Sequence, residues 1–234
     1  MMFRLQAVIK VGGSLGKLGV LPDLCREIGR LAARYDLLIV PGGGEFADLV
    51  RKYYSEFSLS ETVAHWMAIL AMDQYGMLLG ELTSNSLLVR EIFSVNELEL
   101  YSGRLLILLP FNWLFQADPL PHSWTVTSDS IAAWVAGELK AQCLVLLKDV
   151  DGLFSVGERA GELGKLVEQM NEEQLRAQPG GIDESLANVL ARLDLETWVI
   201  NGRHPRRLAE LLERGHTIGT RINCSGEQGA AKPS

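Results

Sequence analysis

Cysteine is scarce in this chain: three residues in 234, at Cys25, Cys143 and Cys224. They are scattered, and none has metal-ligand spacing. So odd and sparse a set fits a reducing cytoplasm better than a disulfide framework. Long apolar runs are also missing. No uninterrupted stretch approaches the ~18 residues of a membrane span, and Lys10 breaks the only apolar run near the N-terminus, so no signal-peptide core is expected. Positive charge is in deficit, with 22 Lys and Arg against 29 Asp and Glu and a formal net charge of −7. That balance argues against nucleic acid or an anionic membrane as partner, while leaving room for a local basic pocket. Internal repeats and low-complexity linkers are absent. The length suits one large α/β domain, expected over residues 1–222, with a Gly-, Ser- and Ala-rich tail over 223–234.

Two familiar nucleotide signatures are absent as well. Gly12-Gly13-Ser14-Leu15-Gly16-Lys17-Leu18 falls one residue short of a P-loop, and Leu18 stands where a magnesium-binding Ser or Thr is needed. No G-x-G-x-x-G follows the first strand.

What the chain does have is alternation. Strand-like apolar runs (Ala7–Val11, Leu37–Val40, Leu105–Leu109, Cys143–Leu147, Thr197–Ile200) are separated by helical patterns, which argues for parallel βαβ units. Helices are predicted over Pro22–Tyr35, from Gly44 through Tyr53, over Ser60–Gly80 and over Ser128–Lys140. Ser60 and Ser128 read as N-caps, each followed by an acid in the first turn. The Ser60–Gly80 helix is apolar nearly all round, which predicts burial between layers or at a subunit contact. Pro110–Val126 reads as an irregular ordered loop or lid, or simply a long connection.

The first strand ends in Lys10-Val11-Gly12-Gly13-Ser14. A cation at the end of a buried strand, beside glycines that expose backbone N–H groups, suits polyphosphate oxygens. Pro41-Gly42-Gly43-Gly44-Glu45 repeats the theme after the second strand.

Five segments in order then carry a resemblance. They are Lys10–Ser14, Pro41–Glu45, Thr127-Ser-Asp-Ser-Ile-Ala-Ala133, Leu147-Lys-Asp-Val-Asp-Gly-Leu-Phe154, and Val199-Ile-Asn-Gly202 with Gly219-Thr-Arg-Ile222. The set resembles the amino acid kinase family over nearly the whole chain. The resemblance implies a three-layer αβα sandwich around a mainly parallel eight-stranded sheet, with the acceptor in the N-terminal part and ATP in the C-terminal part. It implies that Lys10 stabilises the transferring phosphoryl group and that Asp129 orients Lys10 or acts through Mg2+. Gly12, Gly13, Gly43 and Gly44 would bind phosphate oxygens through backbone N–H groups, with Gly42, Gly43 and Gly44 on the acceptor side. Lys148, Asp149, Asp151, Gly152 and Phe154 would border the nucleotide, with Asn201 and Gly202 lining the same site. No metal site made by protein ligands is expected.

One departure narrows the acceptor. Several members of the family carry a second catalytic lysine after a Gly-Gly-Met turn. The matching stretch here, Gly180-Gly181-Ile182-Asp183-Glu184-Ser185, has none, which makes Lys148 the first substitute and Lys165 the second. The uridylate and isopentenyl phosphate kinases also lack that arrangement, so a phosphate acceptor is favoured over a carboxylate. Such an acceptor is already ionised and needs no general base. The resemblance to isopentenyl phosphate kinases implies that His65, on the Ser60–Gly80 helix, bonds the acceptor's phosphate. The string Ala64–Gly76 resembles a branch of the family that phosphorylates an aminomethylfuran-methyl phosphate in methanofuran biosynthesis. Asp73 or Gln74 would then meet the amino group, and Trp66 or Tyr75 the ring. Isopentenyl phosphate, UMP, an amino-acid carboxylate and a non-catalytic binding role stand as alternatives. The resemblance also implies a homo-oligomer.

Overall fold

The computed structural model describes residues 5–92, 95–156, 163–177 and 180–223. The predicted tail lies outside them beyond Asn223. An eight-stranded sheet forms the middle layer. Its strands are β1 (Ala7–Val11), β2 (Leu37–Pro41), β3 (Ser86–Val89), β4 (Leu105–Leu108), β5 (Cys143–Lys148), β8 (Gln169–Asn171), β9 (Glu196–Asn201) and β10 (Thr220–Asn223). The order across it is β3-β4-β2-β1-β5-β9-β10-β8. Only β9 and β10 pair antiparallel, so the sheet is mainly parallel. Between β5 and β8, β6 (Phe154–Val156) and β7 (Leu163–Leu166) form a separate antiparallel hairpin.

Every residue of β1 and β2 is buried, as a parallel strand covered on both faces requires. Ala7, Ile9 and Val11 point into one core with α1 (Leu21–Ala32) and α9 (Arg206–Arg214). Val8, Leu38 and Val40 point into the other, with α6 (Ser128–Glu138) and α8 (Leu186–Leu190). Lys10 shares the parity of Val8 and therefore faces the α6 layer.

The remaining helices are α2 (Gly44–Phe57), α3 (Glu61–Leu82), α4 (Val95–Leu98), α5 (Phe111–Ala117) and α7 (Glu172–Ala177). Ser60 caps α3 as predicted, its hydroxyl accepting from Val63 N at 3.3 Å. Three expectations shift. The first helix stops at Ala32 rather than Tyr35, because Arg34 and Tyr35 fold back in a turn onto Leu31 O. The predicted loop over 110–126 contains a short helix, α5, and only its remainder is irregular. The cap of α6 is Thr127, one residue before the predicted serine. Among the described residues, no helix is long and apolar enough to cross a membrane.

Candidate active site

After β1 the chain builds one half of the sheet with β2, β3 and β4, then returns to β5 on the other side of β1. Ligands of open α/β sheets bind at such a reversal, beyond the carboxyl ends of the strands. The ends of β1, β2 and β5 bring Lys10, the two glycine turns and Lys148 to that place. The first turns of α2 and α6 open onto it.

At its floor, Asp129 holds two lysines. Lys10 Nζ lies 2.8 Å from one carboxylate oxygen and Lys148 Nζ 2.5 Å from the other. Lys10 is 4% exposed and Asp129 1%, so this cluster is withdrawn from water. Burial pushes the Asp129 carboxyl upward, but the two ammonium groups outweigh it and hold the group below the usual carboxylate range. Burial lowers the Lys10 ammonium, and the neighbouring Lys148 adds to that, while Asp129 offsets part of it. Two cations share one carboxylate, which leaves a positive field for an anion.

A second carboxylate sets the position of the first. Asp183 accepts from Thr127 N at 3.0 Å, Thr127 Oγ1 at 2.9 Å and Ser130 N at 2.9 Å, and from the Ser130 hydroxyl. It therefore satisfies donors of the first turn of α6 that the helix itself leaves free. The same loop offers Gly181 O to Lys148 Nζ at 3.2 Å. The stretch without a second lysine thus orients both Asp129 and Lys148.

The glycine turns are packed against each other. A Cβ on Gly13 would lie 2.3 Å from Gly44 N, and Gly44 itself takes φ +55°. No larger side chain fits between the two turns. They line a cleft of about 390 Å³ together with Lys10, Lys17, Asp48, Arg51, Lys148 and Asp149. Lys17 and Arg51 both bond Asp48, at 2.8 and 3.0 Å, and hold its carboxyl below the usual range.

A second, much smaller cavity of about 60 Å³ adjoins the first. Gly43, Ala47, Arg51, Thr127 and Ser128 line both. Its walls are Ile69, Met72, Val126, Ile131 and Trp124, with His65 and Glu61 facing in from α3. The His65 ring stacks on His122 at 4.5 Å. His122 in turn contacts Thr62 Oγ1 at 3.1 Å and Asp118 at 2.9 Å. Burial, then the nearby His122, lowers the His65 pKa to about 4, so the ring is neutral near pH 7.

The match with known proteins settles the class of this site. A model described as amino acid kinase family covers residues 6–201. The chain belongs to the amino acid kinase family. It is accordingly a phosphotransferase. It is 31% identical to the [5-(aminomethyl)furan-3-yl]methyl phosphate kinase of Methanocaldococcus jannaschii, over 92% of this chain and 96% of that protein. It is 22% identical to a uridylate kinase of Methanospirillum hungatei, over 94% and 95% of the two chains. A uridylate kinase from Archaeoglobus fulgidus shares the fold, with TM-score 0.72, 22% identity and coverage of 93% and 99%.

On this amino acid kinase scaffold Lys10, Gly12, Gly13, Gly43, Gly44, Lys148 and Asp149 line one cleft, and Asp129 joins them through the two lysines. Gly42 lies beneath it, its N–H bonded to Val11 O. Asp151 takes Asn201 Nδ2 at 2.9 Å and Arg207 at 2.5 Å, which fixes the Asp149–Phe154 turn beside the end of β9. Gly152 packs on Thr220, Gly202 packs on Leu15, and Phe154 opens the β6–β7 hairpin. Lys165 sits exposed on β7, away from the lysine pair.

The structure does not bring Asp73 and Gln74 to the cavity. The Asp73 carboxylate accepts from Phe111 N at 3.1 Å, at the start of α5, and Gln74 faces solvent. Trp66 packs with Phe111, Phe115 and His122, and the Tyr75 hydroxyl donates to Gly12 O at 3.4 Å. Sequence reasoning missed Arg51, Glu61, Trp124 and Asp183. Helical spacing held a signal for two of them: Arg51 is two turns beyond Gly43, and Glu61 one turn before His65.

Proposed function

We propose that the chain transfers the γ-phosphoryl group of ATP to a small phosphomonoester, and that the acceptor is an aminomethylfuran-methyl phosphate. The observation that carries this reading is that two adjacent cavities share Arg51, Gly43 and Ser128 as a common wall. One is lined by lysines and glycine turns, the other by apolar walls and a neutral histidine. A small organic phosphate lies naturally with its body in the second and its phosphate at the junction. ATP-dependence rests on family membership, and the furan acceptor on the 31% relative.

The residues divide the work by charge. Phosphoryl transfer asks mainly for alignment and for neutralisation of oxygen charge. Lys10, fixed by Asp129 in the lysine and glycine cleft, meets the transferring group. Lys148 meets the donor side, where Asp149, Asp151, Gly152, Phe154, Asn201 and Gly202 border the nucleotide. Of the two turns, Gly13, Gly43 and Gly44 offer their N–H groups to phosphate oxygens, because those of Gly12 and Gly42 are spent on Leu147 O and Val11 O. No base is required, because a phosphate nucleophile is ionised near neutral pH. His65, being neutral, offers a hydrogen bond rather than a charge.

Among the described residues no group of three His, Cys, Asp or Glu could hold a metal ion. That donor set fits a magnesium ion carried mainly by nucleotide phosphates, with Asp149 the carboxylate at hand, and Mg2+ there would neutralise phosphate charge.

We also propose a homo-oligomer. Phe46, Leu49, Tyr53 and Phe57 on α2 and Val63, Leu70 and Met77 on α3 are exposed apolar side chains. Their spacings of three, four and seven place each set along one helical stripe, a pattern a second copy can match about a two-fold axis.

An acceptor panel tests the enzymatic reading. ADP release is measured with the furan phosphate, isopentenyl phosphate, UMP and acetylglutamate. Turnover of the furan compound alone is expected, and turnover of UMP alone would replace the acceptor.

A further inference from the structure

The acceptor cavity has an uneven charge distribution. Among its lining residues only Arg51, Glu61 and His65 are ionisable, and His65 is neutral near pH 7. Arg51 also lines the lysine and glycine cleft, whereas Glu61 does not. The guanidinium stacks over Trp124, 5.2 Å from the ring centroid, and is tied to Asp48. That holds its charge at the junction where a phosphate would sit. Glu61, in contrast, has no ion-pair partner among the described residues. It is exposed, beside Ser123 and Trp124, and also lines the groove that runs past Trp124 to Asp129, Lys148, Ile182, Asp183 and Glu184.

We infer that Glu61 reads a primary ammonium group on the acceptor, so that the cavity selects a phosphomonoester carrying an alkylamine on a flat ring. This rests on the phosphomonoester reading above and gives it a specificity determinant. The acceptor's phosphate lies at Arg51, its ring lies between Trp124 and the Ile69–Met72 wall, and its ammonium pairs with the carboxylate. Asp73, which the sequence offered for that task, is committed to Phe111 N. A uridine nucleotide has no ammonium and gains no ion pair with this water-accessible carboxylate. Discrimination then comes from a missing attraction as well as from shape.

A carboxylate in the first turn of α3 also serves the helix dipole whatever the ligand. That role would weaken all acceptors alike, so the informative readout is a ratio. Steady-state kinetics compare [5-(aminomethyl)furan-3-yl]methyl phosphate with the analogue carrying methyl in place of aminomethyl. The comparison is made on the wild type, Glu61→Gln and Glu61→Asp. The wild type should prefer the amine by roughly 2–5-fold in kcat/KM, the range of an ion pair with a water-accessible carboxylate, expressed mainly in KM. Glu61→Gln should collapse that ratio toward one, and Glu61→Asp should keep most of it. A ratio unchanged in Glu61→Gln, or no preference in the wild type, overturns the assignment of Glu61. A wild type that uses UMP but neither furan compound overturns the acceptor reading itself.

Discussion

Lys148 reaches the carboxylate oxygen of Asp129 that Lys10 leaves free, at 2.5 Å. The two lysines come from strands that are neighbours in the sheet and 138 positions apart in the chain. One carboxylate therefore fixes both cations, the one proposed to meet the transferring group and the one proposed to face the donor. Asp129→Ala should lower kcat by roughly 10²–10³, the usual loss when a positioned charge partner of a transition state goes. It should also cost about 3–5 kcal/mol of stability, because buried Lys10 is left without its counter-charge. Urea denaturation and steady-state kinetics on the same preparation check both. A variant as stable and as active as the wild type would remove Asp129 from the mechanism.

Lys148→Met should act mainly on the donor side. The expected signature is a raised KM for ATP together with a fall in kcat, while the KM for the acceptor changes little. Initial-rate kinetics with each substrate varied in turn separate these. An effect confined to the acceptor KM would reverse the proposed polarity of the site.

Asp183 takes no proposed part in the chemistry, yet it accepts four hydrogen bonds from the start of α6. Asp183→Ala leaves those buried donors unsatisfied and should cost about 1–3 kcal/mol or more. It should also depress kcat, since Asp129 rides on the same turn. Asp183→Asn keeps one accepting oxygen and should fall between. Thermal unfolding and kcat are the measurements, and a loss of stability with unchanged kcat would show that the clasp does not reach Asp129.

His65 gives a prediction in pH. The fold lowers its pKa to about 4, through burial first and the nearby His122 second, with Asp118 opposing. An unfolded histidine titrates near 6.5, so between about 4 and 6.5 the unfolded chain binds more protons. Stability should therefore fall as the pH drops through that window, and His65→Gln should flatten this limb. Urea midpoints measured from pH 7 to pH 4 test it, and parallel curves for the two proteins would contradict it.

The apolar stripe on α2 and α3 predicts assembly. Leu70→Glu places a charge in it without touching the cavities, and sedimentation should show a smaller species than the wild type. A wild type that sediments as a monomer would contradict the proposed oligomer.

The framework of the site was legible because strands and glycine turns write themselves locally. Buried β-branched runs ending in Lys10-Val-Gly-Gly and Pro41-Gly-Gly-Gly announce both the sheet and the anion cleft. Thr127 as the cap of α6 was missed by one residue, because Thr127, Ser128 and Ser130 all carry capping side chains. What choice the chain makes there depends on Asp183, which arrives from 53 positions away. The acceptor residues were harder for the same reason. Asp73 and Glu61 lie on one helix, and only the docking of α5 decides that Asp73 is consumed by Phe111 N. Trp124 sits in an irregular segment with no periodicity to place it.

The central claim is that this family member joins two phosphates. Phosphorus NMR of the purified protein with Mg-ATP and [5-(aminomethyl)furan-3-yl]methyl phosphate tests it most directly. The account predicts that the phosphomonoester signal is replaced by a coupled pair of diphosphate resonances as ADP appears, and that Lys10→Ala abolishes the change. ATP that stays intact with this acceptor while UMP is converted to its diphosphate would contradict the furan assignment. Phosphorylation of a carboxylate instead would contradict the phosphate acceptor altogether.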